Sequence, residues 1–190
     1  MVAVHKLFMD ISKSNDQTVS TSLKKIEREI IGLLEMINDP EVPVLSIIDL
    51  GIVRAVKVSD DPANESPRVQ VTITPTYSGC PAMDVITMAI RMTLIQHGYT
   101  NSRVETVLSP AWTTDWMTTR GKEKLKAFGI APPNPTQQVC NKLFQEDEAI
   151  QCPHCNSYHT RKISQFGSTA CKALYQCNDC QEPFDYFKCH

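Results

Sequence analysis

The sequence predicts an α+β fold: a small two-layer α-β-β-α-β-α domain with a mixed sheet, followed by a C-terminal zinc ribbon. Helical and alternating apolar patterns follow one another through the first two thirds of the chain, and five of the eight cysteines lie between Cys152 and Cys180. Such clustering is typical of a separate metal-binding module. We therefore expect four segments: a flexible leader (1–21), the α+β domain (22–131), a proline-rich linker and bridge (132–150) and the ribbon (151–190).

The first helix and the first two strands are predicted from apolar spacing. Residues 22–37 carry apolar side chains at helical intervals, and the turn residues from Asn38 to Pro40 end the pattern. The segments "IVRAVKV" (52–58) and "RVQVTIT" (68–74) are strand candidates, and the second alternates strictly between polar and β-branched residues. A polar turn separates them, so we expect an antiparallel hairpin with a long connection.

The remaining elements of the domain follow a cysteine. Pro81 is expected to begin a helix that runs to about His97, because proline is tolerated at the first helical position. This helix is apolar around much of its circumference and should be largely buried. A third strand starts at Ser102, and a short helix is expected over about 118–128.

Composition excludes several classes of function. The chain has 190 residues, 42% hydrophobic and 21% charged, with a net charge of −2. It therefore has no global attraction for nucleic acid or anionic lipid. It also contains no apolar run long enough for a membrane span and no signal-peptide core. Cysteines without a secretion signal indicate the cytoplasm, where they are metal ligands more often than disulfides.

The ribbon is predicted from two Cys-x2-Cys knuckles, Cys152 with Cys155 and Cys177 with Cys180, separated by 21 residues. Two close pairs of thiolates match tetrahedral zinc in a structural role, with iron in a rubredoxin-like site as the alternative. Residues 151–190 contain four basic and three acidic side chains, which favours a protein partner over nucleic acid. We expect a small aromatic core formed by Phe166, Tyr175, Phe184, Tyr186 and Phe187.

A lone thiol in "TPTYSGCPA" (74–82) is the best functional cysteine outside the knuckles. Cys80 is expected to cap the following helix, where backbone N–H groups and the helix dipole lower the pKa of a thiol. Histidine-assisted thiol catalysis is disfavoured, because His97 lies at the far end of the same helix, about 25 Å away. Cys80 then either binds a soft metal or merely caps the helix. One thiolate must share a metal across a dimer, with a partner protein or with other local groups, for which the candidates are Asp39, Glu41, Asp49 and Thr76.

Cys171 is one sulfur too many for a four-ligand site. We interpret it either as a small buried side chain of the ribbon core or as a redox-active or alternate metal ligand.

Several long motifs together resemble known families. "DPEVPVLSIIDLGIV" followed by "TPTYSGCPAMDVI" is similar to the cytosolic iron–sulfur maturation factors of the SUF-system T type and their eukaryotic targeting-complex relatives. With "SPAWTTDWMT" and the ribbon "FGSTACKALYQC…EPFDYFK", nearly the whole chain resembles the D-type accessory component of bacterial phenylacetyl-CoA epoxidases.

The resemblance implies a non-enzymatic accessory role in aerobic phenylacetate breakdown. Its implied task is maturation, through transient iron or iron–sulfur delivery to the reductase or the oxygenase of the epoxidase system. By the same resemblance, Asp39, Glu41 and Asp49 belong to a family loop motif, and Cys80 is the signature cysteine. Cys171 also lies inside the matching stretch, which favours a functional role for it as an auxiliary thiol. A structural or regulatory role in the epoxidase complex is the alternative, and a homodimer stays open.

Overall fold

The computed structural model describes residues 21–64, 66–133 and 150–188. Residues 1–20 of the expected leader and most of the linker lie outside these ranges, and residue 21, also assigned to the leader, is the first described residue of the first helix. The described elements are α1 (21–34), β1 (Val53–Ser59), β2 (Arg68–Ile73), α2 (Ala82–Gln96), β3 (Ser102–Thr106), a 3-10 turn (Thr114–Trp116), α3 (Thr119–Ala127), β4 (Thr160–Ser164), β5 (Lys172–Cys177) and β6 (Pro183–Phe187). The α+β prediction is confirmed, including its element order.

The first sheet is mixed, as predicted. Strand β2 lies at its centre, antiparallel to β1 and parallel to β3. Helix α2 connects the two parallel strands, as a crossover between parallel strands requires. The β-branched residues of β2 that alternate along the strand, Val69, Val71 and Ile73, are fully buried. This face is the centre of the core, against which α1 and α2 pack.

Helix α2 differs from the prediction in its exposure. One face is buried through Ile86, Ile90 and Leu94, whereas the opposite face forms an apolar stripe that is at least half exposed. A sheet covers only one side of a helix, and no described element covers the other side. The apolar stripe consists of Val85, Met88, Met92 and Ile95.

The ribbon is an antiparallel sheet of order β4-β5-β6. Tyr175 packs against Phe184 and Tyr186, with ring centroids 5.9 and 5.7 Å apart. The prediction that Phe166 and Phe187 also belong to this aromatic core is wrong. Phe166 follows the end of β4 and is exposed, with the Lys188 ammonium over its ring. Phe187 points out of the ribbon into the core of the first domain.

The two domains pack directly on each other. Ala131 pairs with Tyr186 as a parallel bridge, and its amide and carbonyl bond to Asp185 and Phe187. The Phe187 ring meets Trp112 edge-on at 6.0 Å and is buried with the core of the first domain. Within the described residues, no helix is both long enough and apolar enough to cross a membrane.

Candidate metal centre and interdomain thiol site

The four knuckle cysteines converge at one end of the ribbon. Their sulfur atoms all lie within 4.8 Å of one another, with Cys152 and Cys180 3.8 Å apart and Cys155 and Cys177 3.5 Å apart. Four sulfurs at this spacing fit a tetrahedral ion such as zinc, to which all four would be ligands. Such an ion would supply structural cross-linking and no open coordination position.

The backbone prepares these sulfurs for a metal. The residue after each knuckle adopts a left-handed conformation, with φ of 63° at Asn156 and 65° at Gln181, so both turns have the same shape. The Cys180 N–H donates to the Cys177 sulfur and lowers the pKa of that thiol to about 7. A lowered pKa favours the thiolate form that binds metal. At Cys155 and Cys180 the backbone N–H donors are outweighed by burial and by hydrogen bonds among the sulfurs, which raise the pKa values of both thiols.

The structure corrects the prediction for Cys80. The helix N-cap is Pro81, without a side-chain cap, and the Cys80 sulfur accepts a hydrogen bond from the Ala82 N–H. Burial nevertheless raises the pKa of Cys80, and the nearby carboxylates of Glu41 and Asp39 raise it further. Desolvation and like charge therefore outweigh the helix terminus, and the thiol form is favoured at neutral pH.

Glu41 joins the two domains at Cys80. Its Oε1 lies 3.4 Å from the Tyr77 hydroxyl, and its Oε2 accepts from the Cys171 thiol at 3.6 Å. The Tyr77 hydroxyl is also hydrogen-bonded to Cys80; burial raises the pKa of Tyr77, and both thiols raise it further. A continuous contact path thus runs from Cys80 through Tyr77 and Glu41 to Cys171, which belongs to the ribbon. We call these four residues the junction site.

Cys171 is buried beneath this path. It is 2% exposed, lies 3.0 Å from the Thr169 hydroxyl and is not part of the knuckle set. Burial raises the pKa of its thiol to about 11. One interpretation from the sequence places Cys171 in the ribbon core. The side chain is buried instead with the core of the first domain.

Asp39 holds the loop that carries Glu41. Its Oδ1 accepts from the backbone N–H groups of Glu41 and Val42, both at 2.8 Å. Burial raises the pKa of this carboxyl, which also interacts electrostatically with Glu41 and Lys172. Asp39 therefore orients the loop and contributes to the negative potential at the junction site.

The structure does not bring Asp49 and Thr76 into the junction site. The Asp49 carboxylate is fully buried and binds Arg120 at 2.8 Å and Lys124 at 2.6 Å, with the Thr118 hydroxyl as a third partner. These contacts lower its pKa despite its burial and tie α3 to the loop before β1. Thr76 is buried and lines a groove of about 330 Å³ together with Tyr77 and Trp112.

Sequence reasoning missed two members of this region. Tyr77 stands three residues before Cys80 in the same motif, so its proximity was readable from the sequence. Lys172 is 5% exposed, and its ammonium lies 3.3 Å from the Glu41 carbonyl oxygen and 3.8 Å from Asp185. No local pattern predicts that contact, because it spans 131 positions.

Comparisons with known proteins agree with this architecture. Residues 27–106 match the family model "Iron-sulfur cluster assembly protein", and residues 136–188 match "PaaD zinc beta ribbon domain". The crystal structure of a domain of unknown function, DUF59, from Bacillus anthracis covers 56% of this chain and 96% of its own, with 27% identity and a TM-score of 0.50. The class is thus an iron–sulfur assembly domain joined to a zinc ribbon.

Two curated relatives narrow the class. A protein of Escherichia coli (strain K12), named as the D component of 1,2-phenylacetyl-CoA epoxidase, is 46% identical over 91% of this chain and 99% of its own. An Fe-S protein maturation auxiliary factor of Porphyromonas gingivalis is 34% identical over 48% of this chain and 82% of its own. The chain belongs to the family of phenylacetyl-CoA epoxidase D components.

Proposed function

We propose that the protein is a non-catalytic accessory factor of a phenylacetyl-CoA epoxidase system in aerobic phenylacetate breakdown. It assists the insertion of iron or an iron–sulfur cluster into the reductase or the oxygenase, in the cytoplasm. The observation that carries the proposal is the Cys80 thiol, which is hydrogen-bonded to Tyr77 and interacts electrostatically with Glu41, inside a domain that matches iron–sulfur assembly proteins. A thiol beside a carboxylate is a suitable ligand pair for iron.

The surroundings of Cys80 argue against thiol catalysis. A cysteine nucleophile needs a lowered pKa or an adjacent base. Burial raises the pKa of Cys80, Glu41 and Asp39 raise it further, and the hydrogen bonds from the Ala82 N–H and from Tyr77 offset only part of this rise. His97 is exposed at the far end of α2, where its Nδ1 lies 2.8 Å from the Thr93 carbonyl oxygen. The described residues therefore provide Cys80 with ligand partners and with no imidazole base.

The chemistry of the site suits temporary binding. The ribbon sulfurs already lie within 4.8 Å of one another, whereas Cys80 is half-buried and burial raises the pKa of its thiol. A ligand set that is not closed around an ion releases it more readily than a closed tetrahedral site. Release to a client protein is what a delivery factor requires.

Anaerobic transfer of iron and sulfide to the apo-reductase tests this function. Wild-type protein should accelerate the recovery of the reductase chromophore and of epoxidase activity, and Cys80→Ala should reduce the acceleration at least about tenfold. Cys140→Ala, which removes another cysteine of the same chain, is the matched control and should transfer at the wild-type rate. Full assembly of active epoxidase with Cys80→Ala would disprove the proposal.

A structural or regulatory role in the epoxidase complex is the second candidate, and the apolar stripe of α2 favours it. Four large apolar side chains in line along an exposed helix face are typical of a protein contact surface. In that case the only role of the Cys80 sulfur is to accept a hydrogen bond from the Ala82 N–H. Stable stoichiometric co-purification with the oxygenase, with assembly and activity unchanged in Cys80→Ser, would support this alternative.

A further inference from the structure

The docking of the ribbon determines which side chains meet Cys80. The bridge between Ala131 and Tyr186 and the burial of Phe187 against Trp112 place the start of β5 over the Glu41 loop. Cys171 is the residue immediately before β5, so its thiol reaches the Glu41 carboxylate at 3.6 Å. A thiol of the second domain thereby becomes part of the site of the first.

The groups gathered here are unusually rich in ligand atoms for a cation. Two thiols, Cys80 and Cys171, and one carboxylate, Glu41, face one another around the Tyr77 hydroxyl. Asp39 adds a second carboxyl nearby, and this one is buried. The cations that interact with this group are the ammonium groups of Lys172, which lies next to Asp39 and Cys171, and of Lys188.

We propose that Cys80 and Cys171 act together as thiolate ligands for an iron(II) ion, with the Glu41 carboxylate as the third ligand. This inference rests on the proposed function, and it names the ligand set that one chain supplies. A soft thiolate pair with one carboxylate suits a borderline divalent ion better than magnesium or calcium. On binding, each thiol releases one proton to solvent and the iron keeps its oxidation state.

Tyr77 controls whether the three ligands can meet. Among the described residues, the knuckle cysteines are the set whose ligand atoms all lie within 4.8 Å of one another. The ligand atoms of Cys80, Glu41 and Cys171 do not all lie within that distance, so they must move closer to bind one ion. The Tyr77 hydroxyl lies between Cys80 and Glu41, and its ring lines the groove of about 330 Å³. Binding of one ion by all three ligands therefore requires the Tyr77 hydroxyl to leave its place between Cys80 and Glu41.

Anaerobic titration with iron(II) alone tests the ligand set on the full chain with one zinc per chain already bound. The wild type should bind one iron in addition to the zinc, with iron–thiolate absorption and two sulfur neighbours at the iron by X-ray absorption. Cys171→Ala and Cys80→Ala should each weaken binding at least about tenfold and remove part of the absorption. Cys140→Ala should bind as the wild type does.

Further variants separate ligation from folding. Cys171→Ser keeps the side-chain volume and must also bind weakly, while retained zinc and an unchanged circular dichroism spectrum establish an intact ribbon. Tyr77→Phe should bind iron about threefold more tightly, because one competing hydrogen bond to the ligands is lost. Glu41→Gln should weaken binding without changing the number of sulfur neighbours.

The outcomes distinguish the two proposals. If Cys171→Ala and Cys171→Ser bind iron with wild-type affinity while Cys80→Ala does not, the joint site is wrong and the delivery function stands. If the wild type binds no iron beyond an adventitious level, the joint site is wrong. If Cys80→Ala also supports full epoxidase assembly, the delivery function fails as well.

Discussion

The protein contains two groups of cysteines that differ in how closely their sulfur atoms are arranged. The knuckle sulfurs already lie within 4.8 Å of one another, and the N–H of Cys180 holds the pKa of Cys177 at about 7. At the junction site the thiols are separated by Tyr77, and burial raises the pKa of Cys171 to about 11. We expect the closed arrangement of the knuckles to hold its metal permanently and, on our proposal, the open arrangement of the junction site to bind metal exchangeably. The following predictions test this contrast, from the largest expected effect to the smallest.

Removal of a knuckle ligand should have the largest effect. Structural zinc contributes on the order of 10 kcal/mol to the folding of small metal domains, so Cys177→Ala should abolish zinc binding and the ordered ribbon. Zinc analysis and circular dichroism measure both. Cys171→Ala is the matched control, because Cys171 is a buried cysteine next to β5 but outside the knuckle set, and it should retain one zinc per chain. Loss of zinc from both variants would contradict the division into two groups.

Loss of the aromatic contact between the domains should affect the junction and spare the zinc. Phe187 is 1% exposed and packs on Trp112, so Phe187→Ala should lower the free energy of unfolding by about 3–5 kcal/mol. The chain should keep its zinc, since the knuckles do not depend on this ring. Phe166→Ala, at a ring that is 62% exposed, should change stability by less than about 0.5 kcal/mol. Urea unfolding with zinc analysis checks both, and equal effects would contradict the packing assignment.

A comparison of two acidic residues separates structural from ligand carboxylates. Asp49→Ala should cost about 2–3 kcal/mol, because it leaves Arg120 and Lys124, which are themselves partly exposed, without their buried partner. Glu41→Gln should cost less than about 1 kcal/mol, because its partners are a phenol and a thiol. Urea unfolding at neutral pH measures the difference. An equal cost for both would remove the distinction between the two residues.

The same buried carboxylate, Asp49, predicts a pH dependence. Its pKa is lowered from 3.8 by folding, so its contribution to stability is fully present above about pH 4. The contribution decreases as the pH falls below about 4 toward the lower folded-state pKa, because the unfolded chain binds the proton first. Urea midpoints between pH 5 and pH 2.5 should therefore fall less steeply in Asp49→Asn than in the wild type. If the urea midpoints of both proteins fall equally steeply with pH, Asp49 is not the source of the pH dependence of stability.

The amino-acid sequence by itself determined the parts of the protein that depend on local order. Alternation in 68–74 predicts β2, helical spacing predicts α1 and α2, and the two Cys-x2-Cys pairs predict the knuckle site. Each of these patterns repeats within a few residues, where backbone geometry fixes which side chains lie together. The domain boundaries stay predictions.

Only the tertiary structure decided the chemistry around Cys80. The contact between Glu41 and Cys171 spans 130 positions and depends on how two domains pack. The local expectation of a lowered pKa for Cys80 was wrong, since burial and carboxylates from another loop outweigh the helix terminus. The sequence likewise offered Cys80 no second thiol as a partner, whereas docking of the ribbon brings Cys171 to the Glu41 carboxylate. The pKa of a side chain depends on all charges and on the burial around it in three dimensions, whereas a sequence pattern shows only its neighbours along the chain.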